Sequence, residues 1–524
     1  MSRVFRRHAN QAKELADFAY EFLGRARPSN SVVEKTVAVH ADMAVCGLAS
    51  LTLRGEVPEK VKTLITDGEK FSTLASFKGR CFGSRTNVED SKAAAANAAA
   101  VAELSAQPFG PAGPCLAFPL VVGSAFQNNK LDGPTALRAM ILLENIRDAL
   151  HLAFPAPRPH RSALLEALAA ALVYAALHGI APSQTENALG LFLQAYDVHR
   201  PPCPSGLTLD NGLALELAVE AVKKAAVGTQ SVPDPLSLLF KPPLHELSPS
   251  GDITLPTKED DFAIMKTRFR IGSYAPEAAG PVTALIDLIF SHPVLRQSVL
   301  QDIQEINVFS SDFPTKKPNS ETSLNSRAEA IESVPFVLAS IFKKAREIHK
   351  KGSNYKSLED LWANLILLPE DFNSDARSDK NIRFLMSKIN FIHLDTLPPA
   401  SSTKEETSAS EAKKASDLDL TRFQRNSKPG TKVSICSRNK LFESKLIEIP
   451  VGFPQNTDVD LEKLLKKKME RMSSLVSTSG LAMRYIRRLY EIPTMKNMNL
   501  FHIYQNRITN YTSDQENDFD YFAD

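Results

Sequence analysis

Apolar positions near the start of the chain recur at helical spacing. Leu15, Ala16, Phe18, Ala19, Phe22 and Leu23 share one face, which predicts a helix over residues 12–23. A more uniformly apolar run predicts a second, more buried helix over 37–53. An alanine-dense stretch predicts a helix over 91–106, and its small side chains allow close helix approach. Asp132-Gly133-Pro134-Thr135 marks a helix start with proline near the first turn. That helix runs through Leu137, Met140, Leu142 and Ile146 to Leu152. Further helices are predicted over 162–178, closed by Gly179 as a C-terminal cap, over 183–194, and over 211–224. Asp210 is expected to cap the last of these. Residues 1–230 read as almost entirely helical, and no internal repeat is visible.

The pattern changes after about residue 265. Short strands are predicted over 267–274, 303–309, 388–394 and 432–449, with helices over 282–290 and 334–348, an α+β region. Residues 401–431 are polar, charged and poor in large apolar side chains, and are expected to form a disordered loop. Helix returns over 458–472, with Leu461, Leu464, Leu465 and Met469 on one face. Lys466, Lys467 and Lys468 are expected to be its solvated edge. From 501 to 524 the chain turns acidic, with Asp514, Glu516, Asp518, Asp520 and Asp524. Such a tail could dock a basic partner or simply be disordered.

A chain of 524 residues is long enough for two or three domains. Its net charge of +2 exerts no global pull on nucleic acid. Lysine pairs at 343–344 and 350–351, and the run at 466–468, permit RNA contact without arguing for it. Trp362 is the lone tryptophan, so no stacking platform for single strands is suggested. The five cysteines are widely spread with no CxxC pair, which suits a reduced compartment without a disulfide framework or zinc knuckle. No apolar run approaches the roughly 18–20 residues needed to span a bilayer. The most apolar segment, 163–177, is interrupted by Glu166 and reads as a buried helix. The start of the chain carries Arg3, Arg6 and Arg7, with its first acid at Glu14. Such a start suits mitochondrial import; the alternative is an ordinary exposed basic start on a cytoplasmic protein. No phosphate-binding loop, dinucleotide fingerprint, HExxH or ligand-spaced His/Cys cluster is present, so no cofactor and no metal is expected.

Several stretches together resemble one enzyme family. They are Leu15-Ala16-Asp17-Phe18, the Asn97 helix, the run from Leu131 through Asp132-Gly133-Pro134 to Glu144, His160 before the alanine-rich helix, and Gln184-Thr185-Glu186-Asn187-Ala188-Leu189-Gly190. Later come the Gly212 helix, the stretch from Arg268 to Ala284, Ser333-Val334-Pro335-Phe336, the stretch from Val433 to Leu441, and Pro450-x-Gly452-x-Pro454-x-Asn456. In this order they resemble the MmgE/PrpD family, which includes 2-methylcitrate dehydratase and cis-aconitate decarboxylase. The resemblance covers nearly the whole chain. It implies a mainly α protein: a large all-helical domain built from both chain ends, with an inserted smaller α+β lid. The expected boundaries are helical 1–266, lid 267–449, helical return 450–500 and acidic tail 501–524. Family members are commonly homodimers with the site between the domains.

Removing water or CO2 from a tricarboxylate needs cations to hold carboxylates and a positioned group to move a proton. The family's carboxylate motif, counted from Asn97, falls on Ser105, Ala106, Gln107, Pro108 and Phe109, and no carboxylate remains. Its His-Pro falls near Gly113, Pro114 and Cys115; its Lys-x-x-His falls on Pro201, Pro202, Cys203 and Pro204. Arg200 is adjacent and could replace a cation. The lid lysine falls on Arg270, which keeps charge but does not readily exchange a proton, and the lid histidine falls near Ala278 and Ala279. His160 alone matches by identity, as a substrate ligand or acid/base relic, or as a helix-start histidine beside Arg158 and Arg161. Arg268, Arg270 and Lys266 could hold an anion or form an exposed face. The resulting expectation is a catalytically degenerate protein kept for its fold, a homodimer or a structural or assembly subunit of a larger mitochondrial complex. The alternative is an active lyase on a small di- or tricarboxylate using His160, Arg200 and Arg270.

Overall fold

The computed structural model describes residues 2–53, 78–84, 87–114, 116–126, 131–154, 159–196, 207–240, 251–310, 324–352, 355–393 and 430–505. For residues 126, 159–161, 207–210 and 479 the backbone alone is described. The segment expected to be a disordered loop, up to residue 429, lies outside the described residues, as do 506–524.

The protein is mainly helical with a small sheet component. The longer helices, in chain order, are α1 (Gln11–Arg25), α2 (Asn30–Ser50), α3 (Asp90–Glu103), α4 (Gly133–Ala153), α5 (Pro159–Leu177), α6 (Pro182–Ala195) and α7 (Leu207–Ala226). There follow α8 (Ala279–Ser291), α9 (Val334–Lys350), α10 (Leu461–Val476), α11 (Ser479–Tyr490) and the short α12 (Asn497–Phe501). The strands are β1 (Ser2–Phe5), β2 (Lys78–Gly79), β3 (Val88–Glu89), β4 (Ile253–Pro256), β5 (Ile303–Ser310), β6 (Ile389–His393), β7 (Thr431–Ser437) and β8 (Lys440–Glu443). The chain divides into two compact units. One comprises residues 1–271, 452–454 and 465–524; the other comprises 272–451 and 455–464.

The first unit is built on α7, which packs against α3, α5 and α6. α3 can lie close because its facing side chains are alanines. A Cβ on Gly212 of α7 would sit 2.8 Å from the carbonyl oxygen of Ala95, so the crossing admits only hydrogen there. The caps follow the sequence signals. Asp132 accepts from the Thr135 amide at 2.9 Å to start α4. At the end of α5 the Ile180 amide reaches back to Ala175 and the Gly179 amide to Ala176, closing the helix as a Schellman turn. Asp210 does not cap α7, which begins three residues earlier at Leu207.

This unit is not helical throughout. The basic start forms β1, antiparallel to β4 with Ser2 opposite Pro256 and Phe5 opposite Ile253, and β2 pairs with β3. The strand expected over 267–274 is absent: one bridge joins Phe109 and Arg268, and the flanking residues form 3-10 turns and bends. The amides of Arg268 and Phe269 bond to two different segments, at Phe109 and Gly452, so no single partner strand forms a ladder with this stretch. Buried structure also continues past residue 501, since Phe501, Ile503 and Tyr504 lie in the core.

The second unit carries a four-stranded sheet in the order β6-β5-β7-β8. β5 runs parallel to β6 and antiparallel to β7, with Ile306 opposite both Ile389 and Ile435. Ile306, Val308, Val433 and Ile435 are buried, and α8 and α9 belong to the same core. Asn390 donates to Glu305 at 2.8 Å and to Asn307 at 3.1 Å, both on exposed positions of these strands. The strand expected over 432–449 is a hairpin instead. Arg438 and Asn439 both take positive φ, the two-residue turn whose twist matches its strands.

The turn at residues 450–456 owes its shape to Gly452, with φ of 97°. Its carbonyl accepts from the Phe269 amide at 2.8 Å, and a Cβ there would lie 1.9 Å from the Phe269 carbonyl oxygen. Gly452→Ala combines a left-handed backbone with an overpacked contact, and should destabilise the fold by roughly 2–4 kcal/mol. Urea unfolding followed by circular dichroism measures this; an unchanged midpoint would show that the turn tolerates a side chain.

Candidate functional site

The positions expected to carry the chemistry lie just beyond the C-terminal end of α3. Leu104 caps that helix, and Ser105 then takes a left-handed φ of 45°, the αL step that ends many helices but is usually glycine. Its conformation turns the Ser105 and Ala106 carbonyls into the interior. Two cations meet them there. Arg270 Nη1 donates to the Ser105 carbonyl at 2.7 Å, and Lys468 Nζ donates to the Ala106 carbonyl.

Lys468 is the centre of the cluster. It sits on α10 at 0% exposure, and its ammonium pairs with the Asp42 carboxylate of α2, itself 1% exposed, at 2.7 Å. The expectation that residues 466–468 form a solvated edge therefore fails for Lys468, while Lys466 and Lys467 are exposed. A heptad-like count puts Leu464, Leu465, Lys468, Met469 and Met472 on one side of α10, and all five are buried. The run of three lysines hid that one continues the apolar face. Burial pushes the Asp42 carboxyl up, while the charge and hydrogen bond of Lys468 pull it back. Asp42 Oδ1 and Gln107 Oε1 are buried without a hydrogen-bond partner. One turn beyond Asp42, the Cys46 thiol is pushed up to about 12 by burial, with Lys468, Asp42 and Arg270 as its charged neighbours. Such surroundings favour the protonated thiol over the thiolate.

Arg270 is 7% exposed and also lies over the Phe109 ring, 5.1 Å from its centroid. The residues beside it are similarly engaged. Lys35 of α2 sits 4.2 Å over Phe269, and Arg268 lies 4.2 Å over Phe453. Burial lowers the Lys35 ammonium to about 8. The reading of Arg268 and Arg270 as one exposed face does not hold for Arg270. Of the other expected site residues, Arg200 lies outside the described residues. His160 falls in the first turn of α5, where the backbone alone is described. The structure thus brings Arg270 to the Ser105 turn.

A second buried carboxylate was visible in the sequence only as an interruption. Glu166 of α5 accepts from the amides of Leu116 and Ala117, the latter at 3.1 Å. Burial pushes it up to about 7, against the Arg147 charge and those two hydrogen bonds. Arg147 pairs with Glu144 and donates to the Gly113 carbonyl at 2.8 Å. The lone acid in an alanine-rich helix was the available signal for this cluster. A third polar pair, His40 Nε2 with the Tyr504 hydroxyl at 2.7 Å, fastens the end of the described chain to α2.

Among the described residues, no group of three or more His, Cys, Asp or Glu is placed to hold a metal, and no helix is long and apolar enough to cross a membrane. Comparison with protein-family models and with curated proteins finds no match to this chain.

Two outcomes test this arrangement. Lys468→Met strands the Asp42 charge in the core and should cost about 3–5 kcal/mol, whereas Asp42→Leu combined with Lys468→Met should recover most of that loss; chemical denaturation of both variants decides it. For pH, burial lowers the His40 imidazole from 6.5 to about 3, so the folded chain keeps it neutral where the unfolded chain protonates. Its stabilising effect is complete above about pH 6.5 and is lost toward about pH 3, by up to about 1.4 kcal/mol per unit. Glu166 acts in the opposite sense, because its stabilising neutral form is lost as pH rises through about 7. Urea midpoints measured from pH 7 to 5 should therefore differ in slope between the wild type and His40→Gln, the variant being flatter; identical slopes would remove His40 from the account.

Proposed function

We propose that this chain is a catalytically degenerate protein of the MmgE/PrpD type, retained for its fold as a structural or assembly subunit of a larger, mitochondrial complex. The observation that supports this reading is the use made of the charges around residues 105–109. A lyase of this class needs a positioned acid or base to move a proton and cations turned toward the substrate. The chain has serine, alanine, glutamine, proline and phenylalanine at those positions. The cations nearest to them, Arg270 and Lys468, are buried and spend hydrogen bonds on the carbonyls of the same turn. A guanidinium committed to a backbone carbonyl and an aromatic face would have to leave both before gripping a substrate carboxylate, at a cost of several hydrogen-bond equivalents. The retained acids and bases serve helix ends and helix seams, as a scaffold requires.

Purified protein incubated with 2-methylcitrate, citrate and cis-aconitate should give no product above a protein-free control. Turnover that disappears in His160→Ala would overturn the proposal in favour of a rearranged lyase site. Native size fractionation of cell extract should also place the chain in an assembly larger than its own dimer; migration as a free monomer would sink the subunit role.

A further inference from the structure

The chain's net charge of +2 hides an uneven distribution. Between Glu462 and Lys496 there are nine lysines and arginines against three acids, and the remainder of the chain carries slightly more acid than base. A local positive field is therefore available to an anionic partner even though the total is balanced. The fold decides which clustered cations are free to use it. Lys343 pairs with Asp379 at 2.8 Å and Lys344 with Asp371 at 2.6 Å. Lys467 pairs with Glu470 at 3.0 Å, and Lys468 is buried against Asp42. Four lysines of the basic runs are thus neutralised within the protein.

The arginines of α11 are not. Arg484, Arg487 and Arg488 stand three and four residues apart, so they share one side of the helix. Arg484 and Arg487 are exposed and Arg488 is half-buried, and none of the three makes an ion pair among the described residues. Glu491, the C-cap residue, does not pair with them either. The helix dipole accounts for cations in the last turn, which holds Arg487 and Arg488. It does not account for Arg484, which those two repel. The other side of α11 is core, with Ala482, Tyr485, Ile486 and Leu489 buried, so the guanidiniums project from a well-packed footing. Trp362 is buried and offers no stacking surface, but Tyr490 is 42% exposed and follows Arg487 by three residues, adding a ring beside the charges.

A guanidinium is a planar fork that matches phosphate oxygens. Several of them next to an exposed aromatic ring suit a strand whose phosphates repeat and whose bases present flat faces. A lipid surface fits less well. The apolar side of α11 is spent on the core, and the exposed Leu481 and Tyr490 lie toward opposite ends of the helix, so no continuous apolar face remains to enter a bilayer. We propose that the Arg484–Arg487–Arg488 face of α11 binds the phosphate backbone of a single-stranded nucleic acid, with Tyr490 stacking on a base. Such a face is independent of the proposed function, since it stands whether or not the chain turns over a carboxylate.

Fluorescence anisotropy of a labelled, mixed-sequence single-stranded RNA of about 20 nucleotides tests this on the full-length protein. Each phosphate contact adds roughly 0.7 to the slope of log affinity against log salt. Arg484→Gln with Arg487→Gln should therefore lower that slope by about 1.4 and weaken binding at least about tenfold at about 50 mM salt. Tyr490→Leu should weaken binding at least about fivefold with the slope unchanged. Lys350→Gln with Lys351→Gln, a basic pair at the end of α9, should change neither. Both substituted arginines are exposed, so unchanged thermal melts are the control for folding. An unaltered slope in the arginine variant, or an equal loss in the Lys350 and Lys351 variant, would overturn the proposal. Tighter arginine-dependent binding to phosphatidylserine vesicles than to RNA would overturn it too, by assigning the face to a lipid surface. Full affinity in Tyr490→Leu would overturn the stacking contact.

Discussion

An ammonium and a carboxylate sealed from water set the terms on which the first unit is assembled. Taking Lys468 and Asp42 into the interior is expensive, and only close pairing with further hydrogen bonds repays it. The pair therefore tolerates little displacement: α10 must meet α2 at one register, and both must meet the turn after α3, because the same ammonium also serves the Ala106 carbonyl. Arg270 repeats the arrangement one carbonyl earlier. Residues 42, 105–106, 270 and 468 are thus joined by one buried ion pair and two cation-to-carbonyl hydrogen bonds.

The same cluster complements the helix it abuts. The carboxylates of Glu89 and Asp90 lie at the start of α3, where they share Lys223 at 2.9 and 3.2 Å, and two buried cations lie at its end. Acids at an N-terminus and cations at a C-terminus both oppose the helix dipole favourably. Between those ends α3 is mostly alanine, and Gly212 lets α7 approach it to backbone contact.

Helices with strong caps or a clear apolar stripe were legible from residue order. The Asp132 start, the Gly179 stop and the small-residue face of α3 are local features, and each appears where its own chemistry dictates. α11 could have been found in the same way, since Ala482, Tyr485, Ile486 and Leu489 recur at helical spacing. Short strands were harder. β1 lies in a basic start that reads as a signal or an exposed arm, and its partner β4 is some 250 residues away. The 432–449 run reads as one strand because Arg438 and Asn439 carry no glycine to announce their turn.

The sequence by itself determined the helical character of this protein, the α+β character of its middle and the absence of a carboxylate at 105–109, because periodicity, caps and residue identity are local properties. Tertiary structure alone decided which charges are buried. Lys466, Lys467 and Lys468 are chemically identical neighbours, yet the 100° step between successive helical residues sends the third into the core. There Asp42, more than four hundred residues earlier, determines whether its charge can be borne. A linear reading sees three cations on a surface; the fold makes one of them the fastening of its core.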